Sequence, residues 1–422
     1  MKVHLAYRDH DLDPEAEPPP NADALTDDLG LGILFATMAG GDRYLYEVAR
    51  RITFASLHEP EAIRYRQAIL ADCLAHPEVV RELYALAVAA LEQERHHWLY
   101  SGQYPESILH RSIVLLGHVL AQLRRLRDIA TEQATSFVSD GFGRLFAELG
   151  RELDDAYLRT LEAHLRRLEF RGGVRLGATL GTTNAETRFV LRRRVDPPSW
   201  RERIGLSEAD SYTYELDPRD MAGAEALGAL RGRGIALAAA ALGESTDHII
   251  GYFTQLRAEL GFYLGCLNLH GVLTAKGEPS CMPEPVPAGT PALTARGLYD
   301  VSLSLAMGAA RVVGSDLEAD DKRLVVITGA NRGGKSTFLR SLGLAQLMLQ
   351  AGMFAPAQAF RADIRRGLFT HFKREEDVAL RSGKLDEELG RMSIVIDQIE
   401  PDSLVLLNES FASTNEREGS EI

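Results

Sequence analysis

The chain has 422 residues, 45% of them hydrophobic and 25% charged, with a formal net charge of −13. That length holds two or three domains with ample material for a core, and the charge excludes a uniformly basic nucleic-acid coat. Cys73, Cys266 and Cys281 show no CxxC spacing, which excludes a disulfide frame or a cysteine-based zinc site and fits reduced thiols in a cytoplasm.

Residues 1–28 are acidic and interrupted by Pro18 to Pro20, the opposite of a basic start followed by an apolar run. They predict a flexible lead-in, not a signal peptide. No run of about 18 residues is both apolar and uncharged, so the reading includes no membrane span and no membrane partner. Helical stripes follow. Ile63, Leu70 and Leu74 mark one helix, Val80, Leu83, Ala87 and Leu91 a second, Ile113, Leu116, Leu120 and Leu123 a third, and Leu153, Tyr157, Leu161, Leu165 and Leu168 a fourth.

The period then changes to two. Val174, Leu176, Ala178 and Leu180 alternate with polar or small residues, and Arg188 to Arg192 follows a polar stretch, which predicts a hairpin, with a possible third strand at Tyr212 to Leu216. Asp217-Pro-Arg-Asp220 reads as a helix start with Asp217 as N-cap. From there to Leu269 no proline occurs, so the pattern allows one helix or, given Gly228, Gly232, Gly234 and Gly243, two. Residues 274–296 are rich in proline and polar residues and read as a connection.

Gly329 to Ser336 fits G-x-x-x-x-G-K-[ST] at every fixed position. Leu324 to Ile327 ahead of it form an apolar run suited to a buried strand, and Phe338, Leu342, Ala345 and Leu349 behind it recur at helical spacing. In such a loop backbone N–H groups surround phosphate oxygens at a helix N-terminus, so Gly329, Ala330, Asn331, Arg332, Gly333, Gly334, Lys335, Ser336 and Thr337 are the candidate ATP-binding residues. Lys335 supplies charge to the β and γ phosphates and Ser336 a hydroxyl to Mg²⁺. A second apolar run, Leu404 to Leu407, ends in Asn408 and Glu409. Glu409 is the candidate general base for attacking water. Asn408 stands where an aspartate would assist the metal, and offers a carbonyl oxygen without charge.

Thr328 to Thr337, with Gln346 and Gly352-Met-Phe-Ala-Pro-Ala357, resembles the ATPase domain of MutS mismatch-repair proteins. A weaker likeness covers Ile63-Arg-Tyr-Arg-Gln67 with Asp72. The resemblance implies a multidomain chain: the lead-in at 1–28, a mainly α-helical core and lever region at 29–282 with a β insertion near 170–216, and an α/β P-loop NTPase domain of ABC type at 283–422. It also implies a homodimer in which Ser382 and Gly383, in a segment that resembles the ABC signature, face the partner's nucleotide. Ser382 reads equally as an ordinary helix cap. Ser413 and Thr414 would then belong to the segment that communicates across the dimer. ATP, Mg²⁺ and mismatched or otherwise structured DNA are the cofactors and partner so implied.

Three departures stand beside this. The one Phe-x-Glu match, Phe146-Ala-Glu148, lies in an amphipathic pattern with Leu145 and Leu149 and reads as core, not as a mismatch-recognising wedge. Asn408 replaces the expected aspartate. The chain ends 13 positions past Glu409, so an ATPase domain incomplete at its C-terminus is expected. The reading is thus a MutS-like, DNA-repair ATPase of the cytoplasm. The alternatives are a nucleotide-dependent dimerisation module with little hydrolysis, or an ABC-type ATPase acting on branched nucleic acid or ribosomes. Arg124, Arg125, Arg127, Arg166, Arg167 and Arg192 to Arg194 serve either DNA phosphates or solvated helix faces. His96 and His97 with Glu92 read as a polar face, not a metal site.

Overall fold

A computed structural model describes the chain except residues 14, 98–103, 171–172, 181–185, 193–213, 331, 374–383 and 412–422, and the side chains of 93, 95–97, 179–180, 186–188 and 384. The elements run α1 (Ala22–Leu29), α2 (Leu31–Ala39), α3 (Arg43–Phe54), α4 (Pro60–Ala75), α5 (Pro77–His97), α6 (Pro105–Gln133), α7 (Asp140–Glu152) and α8 (Asp155–Leu168). Then follow β1 (Leu176–Leu180), β2 (Glu186–Leu191), α9 (Met221–Ala275), β3 (Glu284–Val286), β4 (Leu293–Leu298), α10 (Val301–Ala306) and β5 (Ser315–Glu318). The chain continues with α11 (Lys335–Gln350), β6 (Ala359–Asp363), β7 (Leu368–Phe372), α12 (Lys384–Gln398) and β8 (Leu404–Asn408). Mostly helical with small sheets, it matches the helical stripes read from the sequence.

Local chemistry sets several boundaries. Prolines open α4, α5 and α6, where the missing N–H has no helical partner to lose. Asp42 caps α3 by accepting from Tyr44 N at 2.7 Å, and Asp154 caps α8 by accepting from Tyr157 N at 2.6 Å. Gly30, at φ 68°, turns the chain between α1 and α2. At α9 the cap differs from expectation. Asp217 turns back on Arg219 N at 2.8 Å, whereas Asp220 accepts from Gly223 N at 2.8 Å. The aspartate next to the first helical residue reaches the first-turn amides, and Asp217 is three residues too early. No strand forms at Tyr214 to Leu216; Tyr212 lies outside the described residues.

The chain divides into two compact units. One comprises Met1, Ala85–Thr131 and Glu148–Thr254. Within it β1 and β2 form an antiparallel hairpin, Leu176 opposite Leu191. Leu109, Ile235 and Ala239 form its described core cluster, packed by Ile113, Leu168, Val174 and Leu242. The second unit comprises Lys2–Tyr84, Glu132–Ala147 and Gln255–Ile422. Its four-stranded sheet has the order β3-β6-β4-β5, and β7 and β8 make a separate parallel pair with Phe372 opposite Asn408. Ile63 of α4, Leu342, Ala345 and Leu349 of α11, and Leu298, Phe360 and Ala362 of the sheet share one core cluster. Phe146 is 4% exposed, as a core residue should be, and no wedge forms there.

Helix α9 is continuous for 55 residues, through all four glycines. Gly228 and Gly232 have open space where a Cβ would go, so nothing at those positions breaks the ladder. One window reaches mean hydropathy 1.2 with at most two charged residues, apolar enough by length and composition to cross a membrane. The requirement for an uncharged run passes over it.

The acidic N-terminal stretch is not loose. Val3, Leu5, Ala6 and Leu12 are buried. Leu5 N and Ala6 N donate to Glu259 Oε2 at 2.5 and 2.8 Å, and Tyr263 Oη donates to Leu5 O at 2.5 Å. Arg66, fully buried, donates from Nε to Ala6 O at 3.1 Å and from Nη1 to Ala351 O, the C-cap of α11, at 3.0 Å. Four apolar anchors and these backbone bonds outweigh the acidic composition.

Candidate nucleotide site

The glycine loop and helix form as the motif demands, but the strand before them does not. Leu324 and Val326 are 80% and 75% exposed, and Leu324 to Ile327 pair with no described strand. A strand is held by its ladder, and β8, the other apolar run, pairs with β7 instead. After the run, Gly329 has φ 157°, Arg332 φ 64° and Gly334 φ 85°, and Gly334 is the N-cap residue of α11. Gly333 N donates to Ala330 O at 3.0 Å, and an added Cβ at Gly333 would lie 2.8 Å from that oxygen. The turn is too tight for a side chain there.

Lys335, Ser336 and Thr337 occupy the first turn of α11, where backbone N–H groups have no helical acceptor. The Lys335 ammonium folds over the loop, 2.9 Å from Gly329 O and 3.1 Å from Ala330 O. Ser336 Oγ donates to Asn408 Oδ1 at 3.0 Å, so two stretches separated by 72 positions meet. Glu409 follows at the end of β8 with φ 51°, and its Oε2 lies 3.6 Å from Lys373 Nζ. Ser336 and Asn408 are therefore brought into contact, while Lys335 faces the loop and Glu409 faces Lys373. Asn331, Ser382, Gly383, Ser413 and Thr414 lie outside the described residues.

A cleft of about 520 Å³ lies beside the loop, lined by Tyr299, Asp300, Val312, Val313, Lys335 and Phe338 among others. The first four are missed by the sequence reading. Only Asp300 leaves a trace, as a cap-type residue ahead of Val301, and it caps α10 by accepting from Leu303 N at 2.9 Å. Burial pushes its carboxyl above the usual range, opposed by the Leu303 amide and by Arg340, whose Nε is 3.5 Å away. Gln346 is structural: its amide donates to Gln350 Oε1 at 2.8 Å and Asp363 O at 2.9 Å.

Three of the arginines expected on DNA or on solvated faces are drawn into ion pairs, and Arg193 and Arg194 lie outside the described residues. Arg124 and Arg166 both reach Glu162, at 2.7 and 2.6 Å, and Arg127 meets Asp128 and Asp155. Among the described residues no group of three or more His, Cys, Asp or Glu could hold a metal ion. The side chains of His96 and His97 are outside the description.

A model of the MutS2 N-terminal domain matches residues 58–276, more than half the chain. The chain belongs to the MutS family. A model of MutS domain V matches residues 325–422, taking in the loop, Asn408 and Glu409. The protein is similar to the DNA mismatch repair protein MutS of Thermotoga sp. (strain RQ2), 38% identical over 108 residues, and to that of Syntrophomonas wolfei, 36% over 116 residues. A further relative is the MutS of Desulfitobacterium hafniense, 32% identical over 136 residues. These matches cover 25%, 27% and 32% of this chain and 14%, 14% and 16% of those proteins, so this MutS-family chain spans a small part of their length.

Proposed function

We propose that this MutS-family protein is an ATPase that binds ATP with Mg²⁺ on Gly329 to Thr337 and uses binding and hydrolysis to control engagement of DNA, in mismatch repair or a related transaction. The observation that carries this is the 3.0 Å hydrogen bond from Ser336 to Asn408, which sets the loop's hydroxyl beside the last residue of the strand that Glu409 follows. Ser336 and Asn408 present two neutral oxygens to one place, a donor set suited to Mg²⁺, which shares its shell with phosphate and water. Bound there, Mg²⁺ would supply charge to the β and γ phosphates. Lys335 exchanges its loop carbonyls for phosphate oxygens, Gly333 and the first-turn amides of α11 bind the same phosphates, and Glu409 takes a proton from water.

In this reading residues 283–422 form an ABC-type nucleotide domain and 29–282 the helical core and lever, with two copies meeting through Ser382 and Gly383. DNA is the partner, the cytoplasm the compartment, and no membrane is involved. Fluorescence titration with an ATP analogue tests the first step: saturable binding is expected, and binding that survives Lys335→Ala unchanged overturns it. For DNA, gel shifts across several salt concentrations with and without nucleotide decide, and no shift under any condition removes that part.

A second reading, a nucleotide-dependent interaction module with little hydrolysis, is favoured by the neutral Asn408 and by the Lys373 ammonium 3.6 Å from the Glu409 carboxylate. The Glu409→Gln variant separates the two. Loss of a measurable rate supports the enzyme, and an unchanged, near-zero rate supports the module.

A further inference from the structure

Glu409 and Phe411, on either side of Ser410, both have left-handed backbone, with φ 51° and 59°. Neither is glycine, so each carries a steric penalty that persists only where the surroundings fix it. The group that fixes them is His371, on β7 and only 1% exposed. Its Nδ1 lies 2.8 Å from Ser410 Oγ, and that hydroxyl donates to the main-chain oxygen of His371 at 3.0 Å. Its Nε2 lies 3.0 Å from the carbonyl oxygen of Glu388 on α12, and its ring stacks at a tilt on Phe411, centroids 5.4 Å apart.

A carbonyl oxygen only accepts, so Nε2 donates to Glu388 O. Nδ1 and the Ser410 hydroxyl form the second bond, and whichever of the two donates, the ring stays tied to the turn.

We infer that His371 is a positioning residue that clasps the strained turn carrying Glu409 to helix α12. The inference rests on the proposed role of Glu409 as general base. Through Ser410 the clasp holds the turn that aims the carboxylate, and through Glu388 it makes that aim depend on where α12 sits. His371 itself touches no reacting atom.

The test uses the full chain and the His371→Gln, Ser410→Ala and double variants, with ATP turnover, ATP-analogue affinity and ring ¹⁵N NMR. Each single variant should lower kcat by about ten- to a hundredfold, the range that small misplacement of a catalytic group produces, while affinity stays within about twofold. The double variant should be no slower than the singles, because both cut one link. The wild-type ring should show a protected N–H at Nε2. A folded His371→Gln with unchanged kcat, a double variant whose losses multiply, or a ring with no protected N–H at Nε2 overturns the inference. If His371→Gln does not fold, Ser410→Ala cuts the same link with a smaller change and decides alone. If the wild type binds no nucleotide, the proposed function fails. Hydrogen exchange at Glu409 to Phe411 then decides the clasp separately: faster exchange in Ser410→Ala supports it, and unchanged exchange overturns it.

Discussion

Glu259 offers the sharpest test of the packing. It is fully buried on α9, and its Oε2 accepts from Leu5 N and Ala6 N. Burial raises its carboxyl from 4.5 to about 7, against the pull of the Ala6, Leu5 and Leu12 amides, and Asp11 adds a smaller push in the same direction as burial. Because the folded value lies above the unfolded one, the folded protein holds the extra proton between about pH 4.5 and 7. The stability so gained is fully present below pH 4.5 and is lost as pH rises through 7. The shift is worth roughly 3 kcal/mol at 1.36 kcal/mol per unit. Glu259→Gln keeps an acceptor for the two amides and cannot ionise, so its contribution should not change with pH. A two-unit chain need not unfold in one step, so the assay is hydrogen exchange of the peptide spanning Val3 to Leu12. Wild type and variant are compared at the same pH, which cancels the intrinsic rate. Wild-type protection should fall relative to the variant between pH 5 and pH 8 by on the order of a hundredfold, the equivalent of that energy. A ratio that does not move with pH refutes the argument.

Three further outcomes follow from particular contacts. Gly352 has φ 73°, and a Cβ there would meet Arg66 Cβ at 2.7 Å, so Gly352→Ala should destabilise the second unit by about 2 kcal/mol or more, read as a lower urea midpoint. Arg66→Ala would leave Ala6 O and Ala351 O without their buried donor, costing roughly 2–5 kcal/mol by the same measurement. In Asn408→Asp a carboxylate replaces the neutral oxygen beside Ser336, so the Mg²⁺ concentration for half-maximal nucleotide binding should drop several-fold. An unchanged midpoint in a Mg²⁺ titration would separate Asn408 from the metal.

The glycine loop and the helix behind it were legible because their signals are local: fixed glycines, a lysine and an apolar stripe over a few turns. The meeting of Ser336 with Asn408 was legible only as an expectation about two distant stretches. Leu324 to Ile327 misled because apolarity signals burial while a strand also needs a neighbour to bond. Asp217 misled because Pro218 imitates the first helical position, although Asp220 does the capping. The buried N-terminal stretch was hidden behind its own acids: Leu5 and Ala6 are held through main-chain atoms, and main-chain bonds leave no mark in composition. Tyr299, Val312 and Val313 join the cleft through tertiary packing alone, so no spacing reveals them.

The left-handed backbone at Glu409 has a consequence for any search for hardier variants. A glycine there would relax the backbone, gaining something on the order of 1 kcal/mol, and would delete the carboxylate in the same step. A screen that rewards heat resistance alone would therefore enrich Glu409→Gly, and the survivors would have lost the proposed base. At this position robustness and chemistry pull the same codon in opposite directions.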